Sequence, residues 1–368
     1  FITGVSPVTM DDVTSGFNIG SNLSLSPALN EMVGFTREEV LEMLEYYRKE
    51  GVFLQDVEET LALFDEWYNG YKFSNDQKST IYNTDMVVYY MRDCIQIGQP
   101  PHELLDQNIR IDYGKLRHLL LVSRKLNGNF DQLKQIIETG QTVSVIRPSF
   151  PLEKIQVPEN FLSLLYFFGL LTIDQPWRNQ YQLRIPNESI KHLMYGYLRD
   201  AYWDVETFRI DIHRLEILVS DMGWAGEWEG FFDTLAQAVK QQTRVRDYMQ
   251  GEKVLQGFLL AYLHVCDVFH VTSEAELNKG FADLLLEPFV MKYPDMGYGY
   301  LIELKYFKRD ELTEAKLKTT IEQARTQLRQ YLTDERLRKY SPHIRFIGLV
   351  LVYHGWELVY RGAVSNAS

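Results

Sequence analysis

The carboxy-terminal third of the chain carries the pattern that most restricts its fold: apolar segments of strand length around one charged helix. Three segments with strand character, 269–272, 281–287 and 300–307, follow an apolar helix predicted over 252–268. A charged amphipathic helix is predicted over 311–333, and the apolar segments 344–353 and 356–360 then form a hairpin. The order helix, three strands, helix, two strands predicts an α/β sandwich on one central sheet.

Length and composition indicate a folded protein of several domains. The chain has 368 residues, of which 45% are hydrophobic and 24% charged, values close to those of soluble globular domains. At roughly 100–200 residues per domain, two or three domains are expected. The longest apolar stretch, 161–173, is shorter than a membrane span of roughly 20 residues. Cys94 and Cys266 are too few for a disulfide framework or a zinc site built from cysteines. We therefore expect a cytoplasmic protein without a membrane segment.

The segment that precedes the sandwich predicts helices and a small winged unit. A capping box at Thr36–Glu39 predicts the start of a helix that runs to Lys49. A second helix is predicted over 57–67, and Asn69-Gly70 then indicates a tight turn. Residues 158–200 show the order helix, strand, turn, strand, helix of a winged-helix unit. For this unit, packing against protein is favoured over contact with DNA.

Charge is distributed unevenly along the chain. The formal net charge is −12, yet residues 303–345 hold eleven Lys or Arg and seven Asp or Glu. A basic segment on an acidic chain indicates either a solvated helix face or the footprint of a polyanion. Under the second interpretation, the candidate nucleic-acid contacts are Lys308, Arg309, Arg325 and Arg329.

Two predicted strands carry charged residues in apolar surroundings. In the segment 301–306, alternation places Glu303 and Lys305 on one face. Asp283 lies inside the apolar run of the preceding strand, so pairing of the two strands would bring Asp283 and Glu303 together. Two carboxylates suit Mg²⁺ or Mn²⁺, and a neighbouring lysine can neutralise charge that develops on a phosphodiester. The alternative is a solvated Glu–Lys pair of small energetic value.

Several motifs resemble a known nuclease superfamily. Gly280-Phe281-Ala282-Asp283, Glu303-Leu304-Lys305 and, on the following helix, Ala324, Gln327-Leu328 and Tyr331 resemble the PD-(D/E)XK nuclease superfamily. The resemblance extends to a bacterial branch in which this domain is fused to an AAA-ATPase-like domain. The segments that resemble the carboxy-terminal half of that ATPase-like domain are 1–7, 15–19, 34–36, 67–71 and 82–83. Those that resemble its winged-helix extension are 161–166 and 185–187.

The resemblance implies a role for each residue of the motif. Asp283 and Glu303 would be metal ligands, Lys305 the catalytic lysine, and Gln327 an auxiliary polar residue of the catalytic site. Glu252, on the helix before the sheet, stands where many members have a further acid that helps to organise the metal. The branch often has Arg before the Ala-Asp pair, where this chain has Phe281.

The resemblance also implies a multidomain α and α/β organisation. Residues 1–145 would be the carboxy-terminal part of the AAA-ATPase-like domain with its helical lid, 146–205 the winged-helix unit, 206–250 a helical connector and 251–362 a restriction-endonuclease-like sandwich. Phe1–Val5 has the pattern of a strand already under way, so we expect a further part upstream. Thr3 would be a nucleotide-sensing residue.

The nucleotide chemistry of this chain is expected to be limited. The motif Gly-x-x-x-x-Gly-Lys-Ser/Thr, which cradles phosphates, does not occur in its sequence. We therefore expect ATP to bind only in the intact protein and no ATP hydrolysis by this chain. The resemblance is compatible with oligomers formed through the ATPase-like part.

The sequence thus predicts metal-dependent hydrolysis of nucleic acid, with DNA favoured, by the carboxy-terminal domain. One alternative is a catalytically silent module that binds nucleic acid or protein under control of the ATPase-like domain. Another is a structural scaffold in which Glu303 and Lys305 form a surface pair. If Asp283, Glu303 and Lys305 do not meet in the folded chain, the hydrolase hypothesis fails.

Overall fold

The computed structural model describes residues 8–9, 23, 25–74, 78–106, 121–122, 125–126, 128–204, 208–242, 251–308, 310–340 and 343–364. The contacts divide the chain into two compact units, Phe1–Ala201 and Tyr202–Ser368. Among the described residues, no helix has both the length and the apolar character needed to cross a membrane.

The first unit is mostly helical and carries small sheets. Its helices are α1 (Arg37–Lys49), α2 (Val57–Trp67), α3 (Thr84–Ile97), α4 (Gly128–Thr139), α5 (Pro158–Phe167) and α6 (Glu188–Asp204), which begins in this unit, with 3-10 turns at Pro27–Leu29 and Leu152–Lys154. Its strands are β1 (Val8–Thr9), β2 (Leu121–Val122), β3 (Lys125–Leu126), β4 (Gln141–Ser144), β5 (Phe150–Pro151), β6 (Thr172–Trp177) and β7 (Gln180–Arg184). β1 pairs with β5, β2 with β3, and β7 lies between β4 and β6.

The predicted capping box at the start of α1 is confirmed. The Thr36 hydroxyl accepts a hydrogen bond from the Glu39 amide at 3.3 Å, and the Glu39 carboxylate accepts one from the Thr36 amide at 2.8 Å. Both donors would otherwise be unpaired at the helix start. The sequence signal therefore corresponds to two real hydrogen bonds.

The predicted order helix, strand, turn, strand, helix is present as α5, β6, β7 and α6, and β4 adds a third strand. Its identification as a winged-helix unit stays a prediction. Every residue of α5 from Asn160 to Tyr166 is buried. The middle of this helix is therefore packed inside the protein.

The Asn69-Gly70 turn follows α2 and approaches the chain just after β7. Gly70 has a φ of +99°, and a Cβ at this position would lie 2.2 Å from the Pro186 carbonyl oxygen. The Asn187 side-chain amide donates to the Asn69 carbonyl at 2.7 Å. Both the backbone conformation and the close approach require glycine.

The second unit contains a mixed five-stranded sheet with helices on both faces. Its helices are α7 (Ile212–Ala225), α8 (Glu229–Gln241), α9 (Glu252–Leu263), α10 (Glu314–Tyr331) and α11 (Glu335–Arg338), and its strands are β8 (Phe269–Leu277), β9 (Gly280–Pro288), β10 (Tyr298–Phe307), β11 (Arg345–His354) and β12 (Glu357–Val364). The strand order is β12-β11-β10-β9-β8. Only β10 and β11 are parallel, and α10 connects them; the other neighbours are antiparallel.

Helix α10 covers one face of this sheet, and α7 contacts the other. Leu328 of α10 packs in one buried cluster with Leu301 and Val350 from the strands. On the opposite face, the Tyr300 hydroxyl donates to the Met222 carbonyl of α7 at 2.8 Å. The predicted α/β sandwich is therefore present.

Helices α7 and α8 lie within residues 206–250, for which the sequence predicts a connector. In the structure they belong to the same compact unit as the sheet. Gly226, with a φ of +75°, ends α7, and α8 begins at Glu229.

Candidate active site

Strand β10 presents Glu303 and Lys305 on the face of the sheet that α10 covers. In the parallel register, Glu303 pairs with Val350 and Lys305 with Val352. Both valines belong to the core cluster beneath α10, and paired residues of neighbouring strands share a face. The alternation predicted from the sequence is therefore confirmed.

Asp283 lies where β9 separates from β10. The two strands pair over three residue pairs, of which the last is Ile302 with Leu284. One step further, the Asp283 carboxylate accepts a hydrogen bond from the Leu304 amide at 2.7 Å. The Asp283 carbonyl accepts one from the side-chain amide of Gln256, on α9, at 2.7 Å. The side chains of Asp283 and Gln256 thus replace backbone hydrogen bonds between the strands. The strands therefore separate without leaving the Leu304 amide or the Asp283 carbonyl unpaired.

The strand alternation is interrupted at the same place. Ala282 and Leu285 are three positions apart, yet both belong to the cluster beneath α10. On the neighbouring strand β8, Glu274 has a φ of +51°, which is unusual for a residue other than glycine. The interruption allows an acid that lies inside an apolar run to reach the site.

The three predicted side chains meet at this separation. Lys305 Nζ lies 2.7 Å from Glu303 Oε2 and 3.7 Å from Asp283 Oδ2. Glu303 is only 2% exposed, and its Oε1 is buried without a hydrogen-bond partner. Asp283 and Lys305 are partly buried. Lys305 therefore lies close to both carboxylates, and Glu303 Oε1 remains available to another ligand.

Burial and like charge determine the protonation behaviour of the site. Burial, followed by the charge of Asp283, raises the pKa of Glu303 to about 7, although Lys305 opposes this. Burial acts to lower the pKa of Lys305, but the charges of Glu303 and Asp283 raise that pKa above its ordinary value. Lys305 is therefore protonated at neutral pH, whereas the carboxyl of Glu303 is about half protonated there.

Glu252, at the start of α9, belongs to the same electrostatic environment. Burial, followed by the charge of Asp283, raises the pKa of its carboxyl, and Lys305 lowers it. The predicted further acid is therefore near the site, although no direct hydrogen bond joins it to the other two acids among the described residues.

Of the six remaining candidate residues, the structure describes four. Gln327 is exposed on α10, between the buried Ala324 and Leu328, and no hydrogen bond found in the described part of the chain joins it to the acids. Arg325 donates to Glu322 at 2.9 Å and to the Tyr360 hydroxyl at 2.7 Å. Lys308 and Arg329 are exposed. Thr3 and Arg309 lie outside the described residues.

Two further residues support the site. Gln256, which sequence reasoning missed, is a polar residue on an otherwise apolar helix face, one turn after Glu252. A single polar residue in an apolar stretch of helix is the sequence signal that could have identified Gln256. Tyr331, near the end of α10, has its pKa raised by burial and then by the charge of Glu303. Its hydroxyl lies beside Gly280, where an added Cβ would be 2.6 Å away.

The arrangement fits a divalent cation. A buried carboxylate oxygen without a donor, next to a second carboxylate, is costly unless a cation or a proton compensates it. Lys305 compensates Glu303 Oε2 but not Oε1. Carboxylate oxygens are the ligands that Mg²⁺ and Mn²⁺ prefer.

Comparison with known proteins supports a nuclease assignment for this part of the chain. A family model described as PD-(D/E)XK nuclease superfamily matches residues 250–361. A search of curated proteins and a search of solved structures found no match. The matched region excludes residues 1–249, so their resemblance to an AAA-ATPase-like domain stays a prediction. Residues 250–361, which contain the separated strands and their acids, are therefore a PD-(D/E)XK nuclease superfamily domain.

Proposed function

We propose that the second unit is a metal-dependent nuclease that hydrolyses phosphodiester bonds of nucleic acid at Asp283, Glu303 and Lys305. The observation that carries the proposal is the buried Glu303 oxygen without a partner, held against a second carboxylate and one lysine. A surface salt bridge would have both partners exposed to water. Here the glutamate is buried in the sheet, which favours a site that binds a further charged group.

The proposed roles follow from the positions of the side chains. Asp283 and Glu303 would hold Mg²⁺ or Mn²⁺, with Glu252 as a further acid. When bound, such an ion lowers the pKa of a water molecule and stabilises negative charge on phosphate oxygens. Lys305 remains protonated between the acids, so its ammonium can donate to a phosphate oxygen or orient the attacking water. The Leu304 amide fixes the Asp283 carboxylate, and Gln256 fixes the backbone behind it.

The remaining parts of the proposal concern the wider protein. Gln327 would assist at the site, and Lys308, Arg325 and Arg329 would contact the nucleic acid, for which DNA is favoured. Residues 1–145 would derive from an AAA-ATPase-like domain and 146–205 from its winged-helix extension. The intact protein, an oligomer through that part and cytoplasmic in bacteria, would couple nucleotide state to nucleic-acid handling. The helix and strand order of the first unit supports this organisation.

The test is cleavage of labelled DNA and RNA by the full chain with Mg²⁺ or Mn²⁺, and with EDTA as the metal-free control. We expect metal-dependent products that Asp283→Asn, Glu303→Gln and Lys305→Met each reduce by at least about 100-fold, as expected when transition-state stabilisation is lost. The matched control is Glu357→Gln, an exposed glutamate on β12, which should leave the rate unchanged.

Two results would refute the proposal. One is cleavage that persists in all three variants, which would indicate a contaminating nuclease. The other is the absence of cleavage together with no effect of Mg²⁺ or Mn²⁺ on the melting temperature of the wild-type chain. The second result would favour a silent binding module.

A further inference from the structure

Phe281 has an unusual environment for an aromatic residue in a strand. It is 61% exposed, the highest value for a large apolar side chain among the described residues of the second unit. It is also the only exposed residue of β9, and the strand is buried from Leu284 to Pro288. A single exposed apolar residue means little by itself. Phe281, however, stands two residues before Asp283 on the same strand.

The end of the hairpin that carries Phe281 is firmly held. Asn278 and Lys279 form a two-residue turn, and both have positive φ values, +46° and +65°. This is the turn geometry that matches strand twist. The Asn278 amide donates to Asp334 Oδ2 at 2.6 Å, and its side chain donates to the Gln330 carbonyl at 2.7 Å. The aromatic ring is therefore attached to a rigid backbone, which lowers the entropy lost when a ligand binds it.

The charges around Phe281 favour an uncharged ligand group at the ring. Its cross-strand partner on β8 is the exposed Glu276. Glu274, on the same strand, pairs with Lys253 at 3.0 Å. Lys253 thus compensates the charge of Glu274, and the charge of Glu276 disfavours a phosphate directly at the ring. Two residues along a strand correspond to about 7 Å, so a phosphate at Asp283 and the base of a neighbouring nucleotide at Phe281 are compatible.

We propose that Phe281 is a stacking platform for an unpaired base next to the scissile phosphate, and that the substrate is therefore a single-stranded region of nucleic acid. This inference rests on the proposed nuclease function. In a duplex each base is covered by its neighbours, so only an unpaired base offers its face to a side chain. Stacking on an aromatic side chain does not require a particular base.

Cleavage by the full chain tests the inference. The substrates are a labelled single strand, the blunt duplex of the same sequence, and that duplex with a single-stranded tail. We expect cleavage of the single strand and of the tail, and little cleavage of the blunt duplex. Phe281→Ala should raise KM for the single strand about 5- to 150-fold, the range for loss of one stacked base. Phe281→Trp should retain activity, and the exposed Val359→Ala is the matched control.

A binding experiment separates the two hypotheses. Fluorescence anisotropy of the labelled single strand in Ca²⁺ measures affinity without requiring cleavage. If the wild type cleaves nothing but Phe281→Ala still weakens binding within the same range, the nuclease function fails and the stacking inference stands. If the wild type cleaves the single strand and Phe281→Ala changes neither KM nor affinity, the stacking inference fails alone. Equal cleavage of the blunt duplex and the single strand would also overturn it.

Discussion

Replacement of Glu303 by glutamine removes a buried negative charge and keeps the size of the side chain. In the folded chain the pKa of this carboxyl rises from 4.5 to about 7 because of burial and the nearby Asp283. Each pKa unit corresponds to 1.36 kcal/mol, so ionisation of Glu303 destabilises the metal-free fold by about 3 kcal/mol at pH 8. Glutamine cannot ionise, and we therefore expect Glu303→Gln to be more stable than the wild type by up to this amount.

The pH dependence has a definite sign. Because the folded pKa lies above the unfolded one, the folded state binds the proton more tightly. The stability contributed by protonated Glu303 is complete below about pH 4.5 and is lost as the pH rises through 7. The advantage of the variant should therefore be about 3 kcal/mol at pH 8, about 2 kcal/mol at pH 6 and less than about 1 kcal/mol at pH 5.

The assay is urea unfolding of the full chain in EDTA, followed by hydrogen exchange of peptides from β9 and β10, so that the second unit is measured by itself. The control is Glu357→Gln, which removes an exposed carboxylate on β12. Millimolar Mg²⁺ should stabilise the wild type more than Glu303→Gln, because ligands that bind the folded state stabilise it. A variant no more stable than the wild type at pH 8, or equally stabilised at pH 5, would refute the reasoning.

Three further substitutions test the packing around the site and in the first unit. Gly280→Ala would place a Cβ 2.6 Å from the Tyr331 hydroxyl and should cost about 1–3 kcal/mol in urea unfolding; an unchanged midpoint would contradict this contact. Arg336 forms a two-pronged ion pair with the buried Glu287, so Arg336→Met should lower stability by about 1–3 kcal/mol, visible as a lower melting temperature at pH 7. Gly70→Ala forces a left-handed backbone and a clash, and should cost at least about 1 kcal/mol, with faster proteolysis of the first unit as the readout. Unchanged proteolysis would show that the turn can relax.

The sequence predicted the elements of the second unit well because each has a local signal. The apolar runs and the amphipathic helix lie within a few residues of β8 to β12 and α10. Alternation alone placed Glu303 and Lys305 on one face. Convergence of these residues with Asp283 required only that two neighbouring strands pair.

The way in which the acids meet could not be predicted. The hydrogen bond from the Leu304 amide to Asp283 joins residues 21 positions apart. No local sequence pattern indicates that a side-chain carboxylate takes the place of a backbone acceptor between two strands. The packing of α7 and α8 beside the sheet is likewise a long-range result.

The hydrogen bond between Asp283 and the Leu304 amide gives this aspartate a structural role in addition to its proposed role as a metal ligand. This affects how variants at position 283 are interpreted. A slip of β9 by one residue would leave that amide without its acceptor. Alanine at 283 would therefore remove both a ligand and a restraint on strand alignment, and lost activity could reflect either defect. Asparagine keeps an acceptor oxygen and changes mainly the charge, so it is the substitution that isolates the chemistry.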